Sequence, residues 1–342
     1  MPIKIFTNQS LLIAENRKHI FFFFLELAFT HKAWIHNYFY IVDSISDADI
    51  ALFPLDICYT KSKYGKKIIQ DFIDLASLNN IPIWLYSGGD IGWSKFNSQS
   101  HIVHFRLAGF KSKYKMKTEI LPAFIQDPLQ NIGFKPIKSL VPPYSIGFVG
   151  HASGGLNKWV KEFLIFSRRE IKRWLNQNTD YQAFYPSGVR RFLFLNQLKK
   201  MSQLHTNYIL RDQYRAGVGK RIALKQETEK EFHNNIQSNL FTFCMRGGGN
   251  FSIRFYETLA HGRIPFYLDT DTQLPLENQI DWDRHIFRFK PEDNLQEIQV
   301  KFLAFTRYND LEQMQLKNRL LWENSLSREA YARQLFLKYK PA

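Results

Sequence analysis

The run Cys244-Met-Arg-Gly-Gly-Gly-Asn-Phe-Ser-Ile-Arg-Phe-Tyr-Glu257 holds the residues with most chemical potential in this chain. The apolar segment Leu240-Phe-Thr-Phe-Cys244 predicts a strand that stops at the cysteine. The glycines that follow, Gly248 and Gly249 among them, let the backbone come close to a ligand. Asn250 is placed to cap a helix starting at Phe251. The exposed amides and positive end of such a helix attract an anion. Arg246 and Arg254 add guanidiniums suited to bidentate contact with phosphate oxygens. Phe251, Phe255 and Leu259, spaced by four, predict a buried stripe, whereas Arg254 and Glu257 are three apart and share another face. A cation for a phosphate and a carboxylate for a sugar hydroxyl fit a nucleotide held end-on. The alternative is a surface pair between the two side chains, which contributes little.

Other positions carry chemistry more conditionally. Asp90, in Tyr86-Ser-Gly-Gly-Asp90, and Asp56, after Leu52-Phe-Pro-Leu55, follow apolar strands, where α/β sheets bind ligands. Either could serve as a general base or be a turn or cap residue. His151, after the predicted strand Ser145 to Gly150, sits where a loop often faces a cleft. Asp269-Thr-Asp271 spells a two-aspartate pattern that can ligate a divalent cation, but the pattern is short and no metal is expected. Gly217-Val-Gly-Lys220 is no phosphate loop, because Tyr214 occupies the required glycine position and Arg221 stands where Ser or Thr is needed.

These residues need elements to position them. Ile3 to Phe6 and Asp49 to Pro54 read as strands apolar on both faces, as in a parallel sheet. Tyr64 to Asn79 has helical spacing and Ile81 to Tyr86 returns to strand, which makes a βαβ unit. The proline-rich stretch Lys135 to Tyr144 breaks the pattern and predicts a linker. Beyond it the pattern resumes with an amphipathic helix bearing Trp159, Phe163, Leu164 and Phe166. A helix at Phe232 to Ser238 and strands at Leu240 to Cys244 and Ile264 to Leu268 follow. The expected fold class is therefore α/β, with two Rossmann-like domains, 1–140 and 145–310, and a helical tail, 311–342, returning to the first.

The chain has 342 residues, 46 Lys and Arg against 31 Asp and Glu, and a net charge of +15. That length suits about two domains, and 16% aromatic residues exclude a disordered chain. The two cysteines, Cys58 and Cys244, support neither a disulfide framework nor a zinc site. The apolar run at Phe21 to Phe24 is too short to span a bilayer and predicts buried structure. The positive charge points to polyanions of some kind: phosphate-bearing substrates, an anionic membrane face or nucleic acid. No nucleic-acid-binding motif is visible, and nucleic acid is not the expected partner.

The ordered set Arg246 to Glu257, Gly262-Arg-Ile-Pro265, Leu274-Pro275 and Ile280-Asp-Trp282 resembles the bacterial-type exostosin glycosyltransferases. The companion run Tyr208-Ile-Leu-Arg-Asp-Gln-Tyr-Arg-Ala-Gly217 resembles the same family. The resemblance implies a GT-B fold, two Rossmann-like domains facing each other across a cleft. It also implies transfer of a sugar from a nucleotide-sugar, usually a UDP-sugar, to a glycan or lipid-linked acceptor, without a metal cofactor and with inversion. Carried over by position, Arg254 would hold the diphosphate and Glu257 the ribose hydroxyls, with Arg246 and Ser252 nearby and Arg211 and Arg215 on the phosphate side. The expected compartment is the cytoplasm, with the Lys111 to Lys117 cluster a candidate contact to an anionic leaflet. Two other readings stay open from the residues alone: a nucleic-acid-binding protein and a non-catalytic sugar-nucleotide-binding subunit.

Overall fold

The computed structural model describes residues 1–94, 101–114, 117–176, 179–211 and 222–341. Its frame is a pair of all-parallel sheets. The first holds β1 (Ile3–Phe6), β2 (Phe39–Val42), β3 (Ile50–Asp56), β4 (Ile83–Ser87), β5 (Ile102–Arg106) and β6 (Thr118–Ile120), in spatial order β2-β1-β3-β4-β5-β6. All seven residues of β3 are buried, as expected of an unbroken apolar run in the middle of a covered parallel sheet. The Phe21 to Phe24 run is core: it forms a short helical turn, α1 (Phe22–Phe24), and Phe23 stacks on Phe39 with ring centroids 4.1 Å apart.

The helical spacing after β3 resolves into two helices, α2 (Ile57–Tyr64) and α3 (Lys67–Leu78). They are split by Gly65, whose φ of 88° is a backbone conformation that favours glycine. The fourth strand starts at Ile83 rather than Ile81, since Pro82 has no N–H to give the ladder.

The second sheet begins with β7 (Tyr144–His151) and continues through α4 (Leu156–Asn176), α5 (Ser187–Leu198), β8 (Leu204–Arg211), α6 (Ile222–Ser238) and β9 (Phe241–Cys244). After β9 come α7 (Ile253–Ala260), β10 (Ile264–Leu268), β11 (Phe287–Phe289) and α8 (Leu295–Tyr308). Its spatial order is β11-β10-β9-β7-β8. Phenylalanines fill its core, with Phe241, Phe266, Phe287 and Phe302 meeting ring to ring. Among the described residues no helix is long and apolar enough to cross a membrane.

Residues 121–143 carry no strand or helix and lead from the first sheet to the second. The chain then crosses back. Helix α9 (Leu311–Leu321) lies on the second unit, where Asn318 Nδ2 donates to Arg263 O. Helix α10 (Arg328–Tyr339) lies on the first, with Tyr331 and Leu335 fully buried in its core and the Tyr331 hydroxyl donating to Ile120 O at 2.9 Å.

The carboxyl-end loops of the two sheets meet. The Asn250 amide, in the loop after β9, donates to Gly109 O in the loop after β5, at 3.0 Å. Lys111 N donates to Asp271 O at 3.0 Å, and Arg106 at the end of β5 pairs with Asp180 at 3.1 Å. Of the Lys111 to Lys117 run, Lys111 and Ser112 reach across this seam. Lys111 is ion-paired with Glu277, and Lys113 and Lys117 lie over the Phe110 and Tyr339 rings; Lys115 is outside the described residues.

Candidate active site

In the second sheet the chain leaves β7 toward β8 on one side and later fills β9, β10 and β11 on the other. The gap between the ends of β7 and β9 is thus the topological switch point, where diverging loops leave a crevice. Arg254 spans it. Its Nη2 donates to Val149 O near the end of β7 at 2.5 Å, and its guanidinium lies 4.2 Å over the Phe148 ring. Gly150 makes room: a Cβ there would stand 3.0 Å from Nη2. Burial pushes the Arg254 pKa down, with Arg211 acting in the same direction, and its buried Nε has no hydrogen-bond partner among the described residues.

Arg246, two residues beyond β9, is nearly inaccessible at 4% exposure. Its Nη2 donates to Gln182 Oε1 at 2.9 Å and Gly248 O at 3.2 Å, while its guanidinium lies between the rings of Tyr185 and Phe110. Burial lowers its pKa to about 10, and Arg169 and Arg190 push the same way. Its Nε, too, lacks a partner among the described residues. Neither Arg246 nor Arg254 forms an ion pair with a described residue. A buried and a half-buried cation without ion-pair partners are costly to keep, and a bound anion would offset that cost.

Glu257, one helical turn beyond Arg254 on α7, makes no ion pair or side-chain hydrogen bond with a described residue, so the simple surface pair is not formed. Burial raises its pKa to about 7, with Arg254 opposing the rise. The helix itself starts at Ile253 rather than Phe251, and its N-cap position is Ser252, whose hydroxyl makes no capping bond.

The expected cap, Asn250, is corrected by the structure. Asn250 is fully buried, its Nδ2 donates to the carbonyls of Gly109, Thr270 and Asp271, and its Oδ1 accepts from the Thr270 hydroxyl at 2.6 Å. It clasps the seam between the sheets instead. A capping side chain and a tertiary clasp offer the same donor and acceptor, and here the buried carbonyls of neighbouring loops took them.

His151 ends β7. Its Nδ1 lies 2.9 Å from Arg211 O, and since a carbonyl only accepts, Nδ1 carries the proton and Nε2 the lone pair. Nε2 is buried without a described partner, and burial lowers the His151 pKa. Arg211 is ion-paired with Glu231; Arg215 lies outside the described residues, as does the Gly217 to Lys220 run. Arg191 on α5 donates to His151 O at 2.6 Å and Arg246 O at 3.5 Å, joining both sides of the crevice. Nothing in the spacing of Arg191, Gln182 or Tyr185 distinguishes them in sequence, since each reaches the site only through the packing of α5 and the loop before it.

From the first domain, Asp90 comes to the glycine loop. It is exposed, its backbone lies so close to Gly249 that a Cβ there would run into the Asp90 carbonyl, and a Cβ at Gly248 would stand 3.4 Å from Asp90 Oδ2. Gly247 is the member of the triplet with open space beside it. Asp56 is placed differently: its Oδ1 caps α2 by accepting from Cys58 N at 2.7 Å, and burial raises its pKa. The structure therefore puts His151 and Arg254 at the switch point of the second sheet, brings Asp90 to the Gly248–Gly249 loop that follows Arg246, and puts Asp56 at a helix start. Asp269 accepts from Thr272 N and pairs with Arg288, and Asp271 accepts from Ser112, so both carboxylates of the two-aspartate pattern have protein partners.

No protein-family model matches the chain, and no curated protein sequence does. Among solved structures it is similar to an α-glucosyltransferase in complex with UDP-glucose and DNA containing an abasic site, at 11% identity over 100% of both chains and a TM-score of 0.39. It is also similar to an α1,3-fucosyltransferase, at 11% identity over 99% of this chain and 91% of that one, with a TM-score of 0.35. A calicheamicin glycosyltransferase follows at 9% identity, 86% and 75% coverage and a TM-score of 0.35.

Proposed function

We propose that this chain is a metal-independent glycosyltransferase of the exostosin-like kind, taking a UDP-sugar as donor and a glycan or lipid-linked acceptor. The observation that supports it best is the pair Arg246, buried in the loop after β9, and Arg254, half-buried at the switch point, neither with a carboxylate partner in an ion pair among the described residues. In this reading the donor diphosphate lies between the two guanidiniums and the amino end of α7, and the ribose hydroxyls meet Glu257. An acceptor hydroxyl attacks the anomeric carbon while the bond from that carbon to the β-phosphate oxygen breaks. The hydroxyl proton passes to Asp90, and the charge left on the diphosphate is neutralised by the arginines. Attack opposite the leaving group inverts the anomeric centre.

Isothermal titration with UDP, GDP, CMP and a short single-stranded DNA, in physiological salt with EDTA, tests the reading. One-to-one binding of a single nucleotide, weakened in Arg254→Ala, is the expected result. Binding of the DNA alone would overturn it in favour of a nucleic-acid-binding protein. Nucleotide binding with no transfer to any acceptor would favour a non-catalytic subunit.

A further inference from the structure

We infer that α4 is a docking surface for an anionic lipid bilayer. An ordinary globular helix buries its apolar stripe and shows its charges, whereas α4 leaves a large part of its apolar surface outward. None of its 21 residues is buried. Its attached side is mixed: Glu162 accepts from Gly188 N at 3.1 Å, Arg169 donates to Gln182 O, and the rings of Trp159, Phe163 and Phe166 pack on Phe184, while Lys158–Glu162 and Arg173–Glu170 pair within the helix. The rest of its apolar surface faces outward. Leu156, Val160, Leu164, Ile171, Trp174 and Leu175 recur at helical spacing, and Leu164, Ile171 and Trp174 are 52%, 60% and 74% exposed.

Charge complementarity selects the occupant. Lys161, Arg168 and Lys172 are exposed, run along one border of the stripe, and form no ion pair with a described residue. Apolar residues with tryptophan on one face and uncommitted cations at its edge are what a helix lying in the headgroup plane of an anionic leaflet requires. The surface is a single convex ridge about 31 Å long at 1.5 Å per residue, which suits a deformable bilayer better than a preformed groove. The Lys111 to Lys117 run fits less well, because Lys111 is already paired with Glu277.

The position of α4 links docking to the candidate site. The helix begins five residues after His151, and at its other end Asn176 O accepts from Lys61 Nζ of the first domain at 3.2 Å. A docked α4 therefore holds the seam between the domains beside the leaflet, where an acceptor carried on a lipid is delivered. This last step rests on the glycosyltransferase reading; the docking does not.

Flotation of the whole chain with phosphatidylcholine vesicles, with and without phosphatidylglycerol, tests the inference. The expected result is flotation with the phosphatidylglycerol vesicles, reduced at least about tenfold in Leu164→Glu/Ile171→Glu. In Lys161→Gln/Arg168→Gln/Lys172→Gln the preference for phosphatidylglycerol should disappear. Both variants change exposed side chains, so their melting temperatures and UDP titrations should match the unmodified chain. Failure of the unmodified chain to float, or equal flotation of the Glu variant, overturns the inference. So does a chain that stays off vesicles but forms an oligomer, by light scattering, that the Glu variant loses, since the face would then belong to a second copy. Loss of UDP binding by the unmodified chain would overturn the transferase reading and leave the docking result standing.

Discussion

The carbonyl of Asp90 lies against the Cα of Gly249, with no room for a side chain between them. The loop after β4, which carries the Asp90 carboxylate, and the loop after β9, which carries Arg246, are thereby in van der Waals contact. Gly249→Ala should force this seam apart, lowering stability by about 1–3 kcal/mol as overpacking does. Gly247→Ala meets open space and should leave the melting temperature unchanged while weakening UDP binding. Thermal denaturation and titration of the two variants separate the roles; equal melting temperatures would show that the seam yields.

Arg254→Met keeps a long side chain over Phe148 and removes the charge. Nucleotide affinity should fall by about 1.5–3 kcal/mol, the scale of a charge-assisted hydrogen bond. The melting temperature should hold or rise, because an uncompensated cation has left a poorly hydrated site. Unchanged UDP affinity by titration calorimetry would remove Arg254 from the binding site.

Glu257 makes stability depend on pH. Its folded pKa of about 7 lies above the ordinary 4.5, so the folded state holds this proton more tightly. Its contribution is fully present below pH 4.5 and is lost as pH rises to about 7, a swing on the order of 3 kcal/mol. Glu257→Gln should flatten that stretch of the stability curve. UDP affinity of the unmodified chain relative to the variant should increase through the same window, as the carboxylate that accepts from the ribose hydroxyls forms. A ratio independent of pH would place the ribose elsewhere.

Asp90→Asn tests the proposed base. With an acceptor in hand, the transfer rate should drop by about 10²- to 10⁴-fold, the usual contribution of a positioned general base. UDP affinity should not change, since the residue acts on the acceptor. A rate unaffected by the substitution would move the role to another group, with the lone pair on His151 Nε2 the next to test.

Asn250→Ala removes a fully buried amide that serves four partners. The carbonyls of Gly109, Thr270 and Asp271 would lose a donor, a loss of about 1–3 kcal/mol or more, read as a lower urea midpoint.

The strands were legible because Ile3–Phe6 and Asp49–Pro54 are largely apolar runs of the kind a covered parallel sheet needs, the second observed at Ile50–Asp56. The glycine loop was legible because Arg246 to Asn250 between an apolar strand and a helix has few structural alternatives. What pairs with what was not. Asn250 has the chemistry of a cap, and only the fold brings Gly109 and Thr270 to it. Gly249 reads as space for a ligand, yet the Asp90 backbone fills that space. Helix α4 is the sharpest case: the periodicity of Trp159, Phe163 and Leu164 fixes an apolar surface but not how it divides, the two rings packing on Phe184 and Leu164 facing outward. Gln182, Tyr185 and Arg191 left no local signal, since contacts between distant segments write none.

The chain passes between the two sheets twice, through residues 121–143 and again between α9 and α10. Arg319 on α9 grips Asp127 of the first passage with both guanidinium nitrogens, at 2.8 and 2.7 Å, and also donates to Ala260 O at the end of α7. Two passages clipped together act as one bracket, with Arg319 as the bolt. Twist and sideways slip of one sheet against the other would tear the clip, and the Asn250 clasp and the Arg106–Asp180 pair fasten the opposite side. Fastened at both sides, the two sheets keep the Asp90 backbone against the glycine loop that follows Arg246.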